Sequence, residues 1–319
     1  MKAAVVTRYG DVPEYVDVAA PTVSGEHEAI VDVVAAALSP RVRSQAAGTH
    51  YTSTDDLPLI PGIDGVGRLT TGELVYFLLP DTNKGSMAQH VAIDMRRSVL
   101  LPQDADAVQI AAVMNPAMAS WVALRQRMQF QRGQNVLILG ATGNAGRCAV
   151  QVARRLGADD VVAVGRRIQR RQEELIKLGA TRVIELDTDS DTLGRELGDA
   201  GKDVEVVLDF LWGEPTKRAL YAIVPNRSRD AQLLTWIQIG SVAGPESPIP
   251  SAALRAVNLT LIGSGQGSVD GRAYRAEIET LAREIHAGAF DVAARAVPLR
   301  EVKTAWLRSD SAERIVFVP

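Results

Sequence analysis

The chain has 319 residues, which at ~150 residues per domain points to two domains. Hydrophobic residues make up 46% and charged residues 23%, ordinary globular usage that excludes a disordered, collagen-like or coiled-coil chain. With 35 Lys and Arg against 38 Asp and Glu, the formal charge of −3 provides no global basic field for nucleic acid or an anionic membrane, so a small-molecule partner is expected.

Residues 2–7, 29–38, 65–69, 74–78, 88–93 and 98–101 read as short strands broken by Gly and Pro, an all-β lobe. Asn115-Pro116 opens a helix linking this lobe to the next segment. From Asn135 onward, apolar runs at 136–139, 161–164, 183–184, 204–208, 233–239 and 259–262 alternate with helical patterns. Continuous Val/Ile/Leu runs separated by helices mark a parallel sheet covered on both faces, here a doubly wound α/β domain of six strands. The remainder holds one helical stretch at 274–286 and strand-like pieces ending at 314–318, which do not extend the alternation. The expected division is 1–119, 120–262 and a return to the first lobe at 263–319. The single cysteine, Cys148, excludes an intramolecular disulfide and fits a reducing cytosol; on the helix after the glycines it reads as a packed small side chain. The start lacks a signal-peptide apolar region and no stretch of ~18 apolar residues occurs, so a soluble, cytoplasmic protein is expected.

Val136-Leu137-Ile138-Leu139 leads into Gly140-Ala141-Thr142-Gly143-Asn144-Ala145-Gly146 and then a helix with apolar residues at Ala145, Ala149, Val152, Ala153 and Leu156. A strand turning through glycines into a helix aims free backbone N–H groups and the positive end of the helix dipole at one spot, which suits a pyrophosphate. Gly140, Thr142, Gly143, Asn144 and Ala145 are the expected contacts. The second strand ends Val164-Gly165-Arg166-Arg167, with Arg170 and Arg171 close behind and Asp159 and Asp160 placed before the strand. A ribose 2′-hydroxyl calls for a carboxylate at that strand end and a 2′-phosphate for Arg, so Gly165, Arg166 and Arg167 favour NADP(H), with a solvated basic helix start as the plainer reading. Later strand ends should border the crevice through Phe210, Gly240, Ser241 and Ser264.

Other chemistries lack their residues. The four histidines (His27, His50, His90, His286) have no ligand spacing to one another or to Cys148, so no metal site is expected. No tyrosine is followed by Lys four residues later, and neither a Gly-x-Ser-x-Gly elbow nor a phosphate-loop Gly-Lys-Ser/Thr occurs.

The chain resembles the medium-chain dehydrogenase/reductase superfamily, and within it the zinc-free quinone oxidoreductase branch that includes ζ-crystallin-like proteins. The likeness rests on Met1-Lys2-Ala3, Pro61-Gly62-Ile63-Asp64-Gly65-Val66-Gly67, Gly85-Ser86-Met87-Ala88-Gln89-His90-Val91, the glycine turn, and Pro298-Leu299-Arg300-Glu301-Val302. It implies a GroES-like β-rich catalytic domain beside a doubly wound, parallel-sheet Rossmann domain. Zinc-dependent members carry Cys near Ser39 and Gly-His-Glu at Gly62-Ile63-Asp64, so both ligand positions are replaced. Ser39-Pro40 stands where relatives have Asn-Pro, the Asn lying by the nicotinamide. Tyr51 is similar to a tyrosine lining the family's active site, or else is a loop aromatic packed on the lobe. The implied activity is hydride transfer from NADPH to a quinone or a conjugated enone or enal, with Tyr51, Ser39 or solvent supplying a proton. Two alternatives stand beside it: an NADPH-binding protein without significant turnover, and an enoyl-thioester reductase, for which Arg41 and Arg43 are the local hint unless they are solubilising charge. Family analogy also implies a homodimer, with the strand at 258–262 free to pair across a two-fold axis.

Overall fold

The computed structural model describes residues 1–265, 267–308 and 313–319. It divides into two compact units, Met1–Asn115 with Ile278–Pro319, and Pro116–Glu277.

The first unit begins with β1 (Lys2–Val5) paired antiparallel to β2 (Glu14–Asp17), a short strand the sequence pattern does not reveal because neither face of Glu14-Tyr15-Val16-Asp17 is buried outright. β3 (Glu28–Ala37) is ten residues long and is an inner strand of the main sheet. After it, α1 (Pro40–Ala46) starts with proline at a position needing no N–H and with Ser39 as its cap. β4 (Asp64–Leu69), β5 (Leu74–Leu78), β6 (His90–Asp94) and β7 (Ser98–Leu100) follow, all joined by antiparallel ladders, with β3 taking both β4 and β6 as partners. α2 (Ala107–Val122) then runs on into a π-helical turn, Ala123–Arg127. By length and apolarity this continuous helix could cross a bilayer, but 72% of its most apolar window is buried inside the protein, as for a core helix.

The second unit alternates strand and helix: β8 (Val136–Leu139), α3 (Asn144–Leu156), β9 (Val161–Gly165), α4 (Gln172–Lys177), β10 (Arg182–Glu185), α5 (Ser190–Gly201), β11 (Val206–Asp209), α6 (Gly213–Ile223), β12 (Leu234–Gln238), α7 (Ala253–Ala256) and β13 (Leu259–Gly263). The six strands are parallel in the order β10-β9-β8-β11-β12-β13. Every residue of β8, β9 and β11 is buried, which is why these strands read as unbroken apolar runs rather than alternating ones. The strand order reverses between β8 and β11, and ligands of such sheets bind beyond the carboxyl ends at that reversal.

α8 (Gly271–His286) carries the chain back. β14 (Ala294–Pro298) and β15 (Arg314–Val318), separated by α9 (Val302–Trp306), complete the first unit's sheet as β14-β15-β3-β4-β5-β7, with β15 antiparallel to β3. The units divide after Asn115 and Glu277, against the divisions after 119 and 262 expected from sequence. Glu277 explains the second shift: buried in α8, it accepts hydrogen bonds from Trp121 Nε1 (2.7 Å), Arg125 Nε (2.7 Å) and Gln126 Nε2 (2.6 Å). Trp121 is thereby a core residue, with the Arg125 guanidinium 5.1 Å from its ring.

Candidate active site

β8 ends in a turn whose geometry requires glycine twice. Gly140 has φ +94°, in the left-handed region. A Cβ on Gly146 would stand 2.2 Å from the Gly140 carbonyl oxygen and 2.6 Å from Ala141 Cα, so α3 comes directly against the turn. Gly143 is the N-cap of α3 and brings no side chain to it, which leaves the first-turn N–H groups of Asn144, Ala145 and Gly146 without a capping acceptor. An uncapped helix end beyond a central strand is a cradle for an anion, and it fits a dinucleotide pyrophosphate. The Thr142 side chain packs over Gly165 at the end of β9, and Asn144 Oδ1 accepts from Arg147 Nη2 at 2.5 Å.

The neighbouring strand end is basic. Arg166, Arg167 and Arg170 are exposed, and none has a side-chain partner among the described residues. Arg171 instead donates to Glu174 at 2.8 Å, and the buried Arg147 pairs with the same carboxylate. Burial acts against the Glu174 charge, but these two guanidiniums hold its pKa below the ordinary value. Arg167 has φ +52°, and its backbone N–H donates to Glu185 Oε1 at 2.9 Å, while that of Ile168 donates to Oε2 at 2.8 Å. Sequence reasoning found no carboxylate at the end of β9; the structure brings one to that turn from the end of β10. Three cations without partners fit a phosphate ester beside the pyrophosphate cradle.

At the ends of β11, β12 and β13 lie the other expected residues. Phe210 is buried, so what it offers at the crevice is its backbone, approached closely by Gly240. Ser241 is exposed, and Ser264 N donates to Gln238 O at 2.8 Å. Asp209, which the sequence places at this strand end without a role of its own, is fully buried and organises the whole corner. Its Oδ1 accepts from Leu211 N and Trp212 N (both 2.9 Å), and its Oδ2 from Thr216 Oγ1 (2.5 Å) and Trp236 Nε1 (3.0 Å). Trp212 is held at φ +57°, ψ −168°. The structure thus brings every expected cofactor contact to the carboxyl edge of one parallel sheet.

The two expected catalytic residues lie in the first unit. Ser39 is buried, and its Oγ accepts from Val42 N at 3.1 Å as the cap of α1. Tyr51 is 78% exposed rather than packed on the lobe, with its ring 4.5 Å from that of His50. His50 Nδ1 lies 2.8 Å from Thr52 Oγ1 and accepts from Thr52 N at 3.2 Å, which leaves Nε2 to carry the proton of the neutral ring. Burial, then the Arg41 charge, lowers the His50 pKa, with Asp81 opposing. Asp64 is buried, accepts from Tyr76 Oη at 2.7 Å, and burial raises its pKa against that hydrogen bond and the charges of Arg314 and Arg41. Arg41 donates to Asp81 at 2.7 Å; Arg43 donates to the carbonyls of Trp306 and Arg308 and lies over the Trp306 ring. Both arginines thus have partners within the first unit. Among the described residues no group of three His, Cys, Asp or Glu side chains could hold a metal ion.

No family model matches the chain. It is similar to the "Probable NADPH-dependent quinone reductase tdiC" of Emericella nidulans, 29% identical over 368 residues covering 100% of each chain. It is 27% identical over 183 residues to 2-methylene-furan-3-one reductase of Solanum lycopersicum, spanning 51% of this chain and 47% of that one. Among solved structures, quinone oxidoreductase of Pseudomonas syringae pv. Tomato DC3000 matches with a TM-score of 0.79 at 20% identity, covering 100% of this chain and 99% of that one, a likeness of fold. A β-rich unit joined to a parallel sheet with a glycine turn at its reversal point is the architecture of the two-domain nicotinamide oxidoreductases. In sequence the chain is similar to quinone reductases, and it shares the two-domain fold of the solved quinone oxidoreductase.

Proposed function

We propose that the protein is an NADPH-dependent oxidoreductase that reduces a quinone or a conjugated enone or enal without a zinc ion. The observation that carries this reading is the uncapped α3 N-terminus at the sheet's reversal point, beside a β9 end presenting three arginines without side-chain partners among the described residues. The Emericella nidulans relative is described as acting with NADPH on quinones, and the Solanum lycopersicum relative as reducing a methylene-furanone. When bound, NADPH supplies the hydride. The α3 N–H groups hold the pyrophosphate, and Arg166 and Arg167 select the 2′-phosphate. The Tyr51 hydroxyl, exposed and without a partner among the described residues, donates a proton to the developing oxyanion. Ser39 Oγ keeps its own O–H for the same purpose while it caps α1. Zinc independence is supported by Ser39 and Ile63, which replace the ligand types of zinc-dependent relatives.

A homodimer through β13, the outer strand of the parallel sheet with Thr260 and Gly263 exposed, belongs to this proposal, as does a cytoplasmic location, supported by a single, buried cysteine that can form no intramolecular disulfide. The test is NADPH oxidation by the purified protein against quinones, enones and enoyl thioesters, with NADPH binding followed separately by fluorescence. Turnover of quinones or enones with a preference for NADPH is expected, and Arg166→Ala should weaken NADPH and spare NADH. Tight binding with no turnover across the panel, or a preference for NADH, overturns it.

A further inference from the structure

We propose that Glu185 is a positioning residue for cofactor choice, holding the backbone that presents Arg166 and Arg167 to a phosphate; the inference rests on the NADPH reading above. β9 stops at Gly165, and the next residues must turn sharply. Arg167 enters the left-handed region at φ +52°, ψ +36°, a conformation that L-residues other than glycine and asparagine visit rarely. Nothing in Arg167 itself favours that backbone, so a neighbour must hold it. β10 lies beside β9 in parallel register, Glu185 opposite Gly165. Glu185 Oε1 accepts from Arg167 N (2.9 Å) and Asp187 N (3.0 Å), and Oε2 from Ile168 N (2.8 Å). A fourth bond, Leu186 N to Gly165 O at 2.8 Å, ties the exit of β10 to the same turn.

The consequence is electrostatic as well as geometric. A carboxylate at a turn that carries three arginines could pair with one of them. Here both of its oxygens are taken up by backbone N–H groups, and Arg166, Arg167 and Arg170 keep their charges for a ligand. A strand-end carboxylate directed at a ribose diol selects the unphosphorylated cofactor. Directed into the backbone one strand away, the same residue type serves the opposite selection.

The test is the dissociation constants of NADPH and NADH, measured by nucleotide fluorescence on the full chain, for wild type, Glu185→Ala and Glu185→Gln. Glu185→Ala should raise the NADPH constant about tenfold, equivalent to about 1.4 kcal/mol, and the NADH constant less than about twofold. Glu185→Gln, keeping one acceptor oxygen, should fall between, and it is the variant to read if the alanine protein melts below the assay temperature. A merely structural glutamate would weaken both cofactors by the same factor, and that result overturns the proposal, as does an unchanged NADPH constant. A wild type that does not prefer NADPH overturns the cofactor reading and this inference with it, whereas a preserved preference in the variants sinks Glu185 alone.

Discussion

Two alanine substitutions in one turn separate what the fold needs from what the ligand needs. At Gly146 the added Cβ meets only backbone, Gly140 O at 2.2 Å, Ala141 Cα at 2.6 Å and Gly140 C at 2.8 Å. No rotamer change relieves such contacts, so α3 must back away from the end of β8, disturbing a strand and helix that are packed without gaps. Overpacking of this kind costs about 1–3 kcal/mol or more, and in a unit of this length each kcal/mol lowers the melting temperature by about 2–4 °C, so a 3 kcal/mol cost lowers it by about 6–12 °C. Gly143 is different: its φ is −78°, and a Cβ there lies 3.6 Å from Gly140 O, ordinary contact. Alanine at this N-cap should cost no more than about 1 kcal/mol. Its methyl, however, projects beside the first-turn N–H groups and should raise the NADPH dissociation constant at least about tenfold, the equivalent of one lost charge-assisted hydrogen bond. Thermal melts and NADPH fluorescence titrations on the two variants measure both effects. A Gly146→Ala protein that melts like wild type would refute the close approach of helix and turn. A Gly143→Ala protein that binds NADPH normally would refute the placement of the pyrophosphate.

Three further outcomes follow from the same geometry. Glu277→Ala leaves Trp121 Nε1 and the Arg125 guanidinium without their acceptor, and because the Arg125 side chain is 39% exposed the loss should lie near about 3 kcal/mol, the low end for a broken buried pair, in urea unfolding. For Asp64, whose folded pKa burial raises, the favourable contribution is fully present below the unfolded value and lost as pH rises through the folded one. Asp64→Asn, which can still accept from Tyr76, should therefore match wild type at pH 3 and be the more stable protein at pH 7; the reverse order at pH 7 would mean that Arg314 and Arg41 outweigh burial. Tyr51→Phe should lower turnover about a hundredfold, the scale of general acid catalysis, with NADPH affinity intact, and unchanged turnover removes Tyr51 as the proton donor.

The parallel sheet was legible because burial on both faces imposes the same apolar demand on every residue of β8, β9 and β11, and the glycine turn because Gly140 and Gly146 answer constraints that no other residue satisfies. β2 and α1 were not read, since a four-residue edge strand and a seven-residue helix carry too few periods for a pattern. The arginines after β9 were legible as charges, but not their fate. Whether Arg171 meets Glu174, or Arg41 meets Asp81, is decided by side chains brought together from separate elements. Glu185 and Asp209 escaped for the same reason: a carboxylate ending a strand signals only that it lies near the carboxyl edge of the sheet, and its partner is set by the neighbouring turn.

That edge holds both non-glycine residues of positive φ among the described residues, Arg167 after β9 and Trp212 after β11. Each is secured in the same way, by a buried or half-buried carboxylate that accepts two consecutive backbone N–H groups: Glu185 from Arg167 and Ile168, and Asp209 from Leu211 and Trp212. Such conformations cost about 1–3 kcal/mol each and persist only where surrounding structure over-determines them. A fold under no other demand would place glycine at both positions, as it does next door at Gly140 and Gly213. Arg and Trp bring charge and an aromatic ring instead, after the two strands that pair with β8 on either side. The strain therefore sits at the carboxyl edge of the sheet, and the two carboxylates are the means by which the sheet bears it.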